Sequence, residues 1–485
     1  MSGKLVCICY DNVFKKEVYN DAVNTIKHRG QMAEVFITEE EIKTASVAII
    51  RDRLGVNPLY WMNTEHGFLA SSEIKAFIPF VRKYNLPWEL DETGIYEYMM
   101  FRYTAGIKTL IKQVNRALPG EVLRIGYKKV ERSNESAIRA IMEQEDNIGI
   151  MGIEKLLIEA VEESYTPDDT AVILSGGVDS SLLTALVARH SPVTISMVFD
   201  DFENSELKWS RQIAYSYNTN HNEIHFCSKD FADNYLKAIW HNDEPINFPN
   251  SVAIMFMSEH IKKMGFDKVM AGEGADEIFA GYGFFSGEGH FKYRTQYNLE
   301  KPVQELINVP VYDLIFRQGF RYGTLNERMW YTFQTYLQTV CNRLDKMTQA
   351  HGIKAVCPFV DRAVVEASMK LPDDMKVRGD ITKWVIKKIA ENYMDTEQIY
   401  RPKVGFSIPV NNWLRDSEGL GRFVSILEED RTLSRNIYRA DGIKELLYNF
   451  RNKEDSDRFT YAGRVWTLLN LELWIRTFIE AGVCL

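Results

Sequence analysis

Between Ala171 and Ser181 the chain reads AVILSGGVDSS, an apolar run broken by two glycines and followed by LLTALVARH. An unalternating apolar strand is buried on both faces, and a helix that starts straight after it implies a parallel βα unit. Gly176 and Gly177 let the backbone approach an anion closely. The hydroxyls of Ser175, Ser180 and Ser181, with the N–H groups that open the helix, can cradle phosphate oxygens. Asp179 stands among them, where its carboxylate could hold the Mg²⁺ that escorts a polyphosphate. A bare Gly-Gly turn with serines as helix caps is the plainer alternative; SGGVDSS set between strand and helix favours phosphate. No GKS or GKT follows the glycines, so this is not a Walker A loop.

The surroundings extend the pattern. Ile153, Leu156, Leu157, Ala160 and Val161 share one face of a helix. VTISMVF, EIHF and DKVMAG are further strand candidates separated by helical stretches, which predicts an α/β fold with a doubly wound parallel sheet. From about residue 300 onward the chain reads mostly as helix, including ITKWVIKKIAENY and YAGRVWTLLNLELWIRTFI. The first 130 residues differ. KLVCICY, EVFIT, ASVAII, GFLASS and EVLRIGY are short β-type runs between turns, predicting a separate sheet domain. At 485 residues one core is not expected. The division is 1–130, a polar linker over 131–150, and 151–485.

The net charge of −9 argues against a nucleic-acid partner. No run is long and apolar enough to span a membrane and no signal-peptide pattern opens the chain, so the expectation is a cytoplasmic protein with no membrane partner. Cys7, Cys9, Cys227, Cys341, Cys357 and Cys484 are scattered and form no zinc pattern.

Two later segments carry chemistry. VMAGEGADEIFAGY (269–282) again runs from strand to glycine turn and brings Glu273, Asp276 and Glu277, a second acidic turn able to complete a Mg²⁺–pyrophosphate site with Asp179. YRPKVGFSIPV (400–410) supplies Arg401 and Lys403 in a Pro/Gly loop, where a cation could stabilise developing negative charge.

The SGGVDSS loop resembles the PP-loop of ATP pyrophosphatases, which split ATP between the α and β phosphates. With GEGADE, RPK, DFENSELKWSRQIA, HNDEPINFPNS, AHGIKAVCPFVDR and LPDDMKVRGDITKWVIKK, residues 150–415 are similar to the synthetase domain of asparagine synthetases. That resemblance implies an AMP-forming ligase that adenylates a small carboxylic acid and passes it to an amine or ammonia, with ATP and Mg²⁺ as cofactors. Leu174, Phe199, Ala271 and Gly272 would surround adenosine, while Ser175, Gly176, Gly177, Ser180 and Ser181 would hold phosphate. Asp179 and Asp276 would bind Mg²⁺ and pyrophosphate. Lys403 would stabilise the intermediate, and Glu273 would act as base on the amine.

HRG (28–30), RDRLGVNPLYW (51–61), ASSEIKAF (70–77) and ALPGE (117–121) are similar to the glutaminase half of that family, an N-terminal-nucleophile (Ntn) hydrolase fold. The family's nucleophile is a cysteine at the mature N-terminus. Here Ser2 follows Met1, only twenty residues separate HRG from RDRLG, and nothing matches the family's NGEIYNH segment. The expectation is a degenerate domain and no glutamine hydrolysis. β-Lactam synthetases and lasso-peptide cyclases also carry a silenced first domain, which keeps an intramolecular amide cyclase open as the alternative. The β-lactam enzymes have tyrosine where this chain has Glu273. A non-catalytic nucleotide-binding scaffold conflicts with Asp179, Asp276 and Lys403 occurring together. A tRNA-modifying enzyme would need a basic surface or catalytic cysteines. The acid, the amine and the oligomeric state, a homodimer included, are not encoded in any motif.

Overall fold

The computed structural model describes residues 3–134, 148–200, 206–286, 305–308, 324–402, 405, 408–453 and 461–480. Ser2 and Lys403 lie outside the described residues, as does most of the 131–150 stretch.

The N-terminal half is built on two sheets. One runs in the order Met32–Ile37, Gly3–Cys9, Gly67–Ser71, Tyr60–Asn63, Asn115–Arg116; the other in the order Val47–Ile50, Glu121–Gly126, Lys129–Asn134. Each β-type run read from the sequence is a strand. Lys129–Asn134 pairs antiparallel with Glu121–Gly126, so the first residues of the polar stretch after 130 are still sheet. The Gly3–Cys9 strand is buried at all but one position because neighbours flank it on both sides.

The second half carries a five-stranded, all-parallel sheet ordered Asn220–Phe226, Val193–Phe199, Thr170–Ile173, Lys268–Met270, Lys354–Val356. The direction of strand addition reverses at Thr170–Ile173, where open α/β sheets leave a crevice at the carboxyl ends of the strands. The fifth strand has no apolar signature: KAV is three residues long and no more than half-buried. The Gly149–Ser164 helix buries Ile153, Leu157, Ala160 and Val161, the face read from its spacing. Among the described residues no helix is long and apolar enough to cross a membrane.

The two halves are joined by buried charge rather than by oil alone. Arg29 bridges Glu73 (2.9 Å) and Asp345 (2.7 Å), His28 reaches Glu73 at 3.0 Å, and Lys75 pairs with both Glu73 and Asp243. Burial alone would raise the Glu73 carboxyl; Lys75, His28 and Arg29 outweigh it and hold it well below the usual range. Asp243, fully buried at φ 63°, closes the Ser228–Asn242 helix. It accepts the backbone N–H of Ile74 and Lys75 and pairs with Lys75 and Lys346, each at 3.0 Å. The indole of Trp474, in the Tyr461–Trp474 helix, donates to its carbonyl. One carboxylate thus serves a turn of the first half and two lysines.

Asp243→Asn keeps the shape and tolerates the left-handed backbone, yet leaves two buried ammoniums short of a partner. It is expected to destabilise the protein by about 3–5 kcal/mol. A denaturation midpoint within error of the parent would refute this role for the interface.

Candidate active site

The SGGVDSS loop forms because Gly176 adopts φ +81° with no room for a side chain: a Cβ there would meet Glu206 O at 2.7 Å and Ser210 N at 2.8 Å. Behind it, Gln398 Nε2 donates to Gly176 O (3.3 Å) and to the Ser181 hydroxyl (3.0 Å). Arg401 donates to Gly176 O (2.9 Å) and forks onto the Glu206 carboxylate. Ahead of it, Ser175 and Ser180 hydroxyls lie 3.0 Å apart at the start of the Val178–Val187 helix. The second glycine turn comes in against the first. A Cβ on Gly272 would approach Asp179 Cβ at 3.0 Å and Ser180 N at 3.2 Å, a tight fit that would push the two loops apart by a few tenths of an ångström.

A cleft of about 540 Å³ opens at this meeting point. Ten of the predicted residues line it: Leu174, Ser175, Gly177, Asp179, Ser180, Phe199, Ala271, Gly272, Glu273 and Asp276. Two are displaced. Gly176 and Ser181 stand behind the loop, Ser181 fully buried on Gln398, so they shape the cradle without facing it. Arg401 lines the cleft, but its guanidinium is committed to Glu206 and the loop carbonyl. Glu277 is buried beneath the turn and accepts the Tyr282 hydroxyl. Burial, with Asp276 beside it, pushes its carboxyl up to about 7.

Asp179 and Asp276 converge on a residue that the motif reading did not single out. The Lys383 ammonium lies 2.7 and 2.6 Å from the Asp179 oxygens and 2.9 Å from Asp276. Burial alone would lower the Lys383 pKa; the two carboxylates more than reverse that and keep it charged. Lys383 sits at φ 52°, ψ 38°, just before the Trp384–Ala390 helix, a backbone state unfavourable for lysine and tolerated where the surroundings demand it. The sequence offered a cue in the ITKWVIKK segment but no means of choosing among its three lysines. Among the described residues no three or more His, Cys, Asp or Glu side chains gather as a metal site. Two hard carboxylate oxygens facing one cleft suit Mg²⁺ only when a polyphosphate supplies most of the remaining ligands.

Also lining the cleft, Tyr336 packs edge-on against both Phe248 and Tyr282, ring centroids 5.7 Å apart in each pair. Glu273 lines the cleft too and is ion-paired through Oε1 to Arg343 of the Gln338–Gln349 helix. Cleft, paired acidic turns and buried cation could bind a nucleoside triphosphate and activate a second molecule beside Glu273.

In the first half, the buried cations are already engaged. Arg51 donates to the carbonyls of Asn57, Ala117 and Gly55 and to Gln338 Oε1. Arg116 forks onto Glu244 at 2.7 and 2.9 Å. Cys7 is buried within its strand and desolvation pushes its thiol up, the opposite of an activated nucleophile.

The family model for asparagine synthase matches residues 152–476, and that for a glutamine amidotransferase domain matches 27–135. Among curated proteins, asparagine synthetase [glutamine-hydrolyzing] 1 of Bacillus subtilis (strain 168) is 23% identical over 89% of this chain and 75% of its own length. A putative asparagine synthetase [glutamine-hydrolyzing] of Mycobacterium bovis is 23% identical over 91% and 76%. Asparagine synthetase B [glutamine-hydrolyzing] of Escherichia coli (strain K12) is 26% identical over 75% and 59%.

Proposed function

The chain belongs to the asparagine synthase family and is an ATP-using ligase that forms carbon–nitrogen bonds; on that premise we propose that it adenylates a small carboxylic acid and joins it to ammonia or a primary amine without hydrolysing glutamine. The observation that carries the adenylation half is the convergence of Asp179 and Asp276 on Lys383 beside the SGGVDSS loop. The loop would hold the triphosphate, with Lys383 and the two carboxylates at the pyrophosphate end. Mg²⁺, when bound there, would neutralise phosphate charge and help pyrophosphate leave. Leu174, Phe199, Ala271 and Gly272 line the cleft and would surround adenosine. The acid would enter past Tyr336 and Phe248, and Glu273 would receive the proton that the amine sheds. Lys403 keeps its proposed role in stabilising the intermediate, on the strength of the RPK motif.

The curated relatives are named glutamine-hydrolyzing, so the glutamine-independent part departs from them. It is supported by the commitment of the first half's buried cations. Glutamine's α-carboxylate needs a cation to seat it. Arg29, Arg51, Lys75 and Arg116 are each held by carboxylates or carbonyls of this chain. Only twenty residues separate HRG from RDRLG, which supports the same reading.

The test incubates the protein with ATP, Mg²⁺ and a panel of acids, L-aspartate first, and follows pyrophosphate release with ammonium or with glutamine as nitrogen source. Release with ammonium and none of the glutamate that glutaminase action yields is the expected result. Glutamate formed at the rate of synthesis would overturn the glutamine-independent reading. An acid carrying its own amine that cyclises without ammonium would point to the intramolecular alternative.

A further inference from the structure

We propose that Arg343 is the positioning residue for Glu273 in the amide-forming step, an inference that rests on the reading of Glu273 as the group that accepts the amine's proton. Arg343 is 7% exposed at its side chain and is fixed from three directions. Its Nη2 pairs with Glu273 Oε1, its Nη1 donates to Asn250 Oδ1 at 3.0 Å, and its guanidinium lies 5.2 Å from the centre of the Phe248 ring. Its Nε–H is buried without a hydrogen-bond partner among the described residues. A guanidinium that forgoes one of its bonds in a buried setting is held there by the others, and of these the carboxylate pair is the strong one.

A second, smaller cavity lies between the two halves, against Tyr98, Thr104, Arg116, Glu244 and Gln338. Among the described residues Arg343 is the only one that lines both this cavity and the nucleotide cleft. The Arg343–Glu273 pair therefore forms part of the partition between them, and Glu273 is presented to the cleft from that wall. The pair engages Oε1, leaving Oε2 for a second partner.

The chemistry fits a held carboxylate. The amine lone pair attacks the acyl carbon of the acyl-adenylate and the C–N bond forms. The C–O bond to phosphate then breaks, and AMP leaves with that electron pair. The nitrogen, cationic after attack, gives its proton to Glu273 Oε2. A protonated ammonium adduct is acidic, so the acceptor need not be strongly basic. It must be aimed, and a guanidinium on its other oxygen does that.

The test compares Arg343→Met, Arg343→Lys, Glu273→Gln and the double variant Glu273→Gln/Arg343→Met. It uses the acid that releases pyrophosphate in the screen above, with ammonium chloride as amine. Pyrophosphate–ATP exchange reports the first half-reaction and the folded site; amide product reports the second. Arg343→Met should retain exchange within about threefold while product falls roughly 10²-fold, the scale of a misaimed catalytic group. Arg343→Lys should recover part of that loss. The double variant should make no less product than Glu273→Gln alone, because a positioning residue has nothing left to aim. Additive losses in the double variant, unchanged product in Arg343→Met, or parallel loss of exchange and product in both Arg343 variants would each overturn the proposal. If Glu273→Gln itself loses exchange along with product, the reading of Glu273 fails. If it loses product alone while Arg343→Met does not, only the role of Arg343 fails.

Discussion

Asp179→Asn and Asp276→Asn are each expected to lower pyrophosphate release by on the order of 10³-fold, since a metal-and-carboxylate clamp on a transferring phosphoryl group supplies several kcal/mol. The two carboxylates come from different loops, the turn after Thr170–Ile173 and the turn after Lys268–Met270, and meet through Lys383 at 2.6–2.9 Å. An amide oxygen is a poor ligand for a hard cation and a poor partner for an ammonium, so either change weakens the site twice. Each variant retains one of Lys383's two carboxylate partners, so the fold should survive. Lys383→Met should depress release by roughly 10²–10³-fold, the value of one fixed donor in a water-poor site. The measurement is release of pyrophosphate at saturating Mg²⁺, with circular dichroism on the same samples. Normal turnover in both asparagine variants would remove the metal from these two residues and with it the proposed orientation of the triphosphate.

Glu273→Gln should divide the reaction. In the proposed reaction adenylation would use the phosphate loop, Lys383 and the two aspartates, and proton acceptance from the amine would use Glu273, which also lines the cleft and is paired with Arg343. Exchange of labelled pyrophosphate into ATP should continue near the parent rate while amide product falls roughly 10²–10⁴-fold, the usual worth of a general base. Glutamine also gives up the charge that Arg343 grips, which removes aim together with basicity. Product formed at the parent rate would shift the base elsewhere in the cleft. The acyl group would then be expected to react with an amine carried by the same molecule.

Much of this was legible because it is local. A strand, a glycine turn and a hydroxyl-lined helix start are set by φ/ψ limits and by apolar runs, so the phosphate loop could be read from eleven residues. The same applies to the second acidic turn, whose Gly272 sits where the turns touch closely. The three-residue Lys354–Val356 strand was not legible, because its edge position requires neither alternation nor a buried apolar run. Nor was the division between Ser180, which lines the cleft, and Ser181, buried behind the loop on Gln398, 217 residues away.

The sequence by itself determined the family, with it the class of reaction, and the course of the two glycine turns, since short motifs impose that backbone geometry. Only the tertiary structure decided which cations are available. The sequence shows Lys383 as one of three lysines in ITKWVIKK, Arg343 as one charge in a stretch that reads as helix, and Arg51 as the first residue of RDRLG. Folding sets Lys383 between two aspartates, turns Arg343 onto Glu273, and spends Arg51 on three carbonyls and a glutamine from the other half. A charge acts through whatever lies within a few ångströms of it in a medium that screens weakly, and those neighbours come from segments hundreds of residues apart.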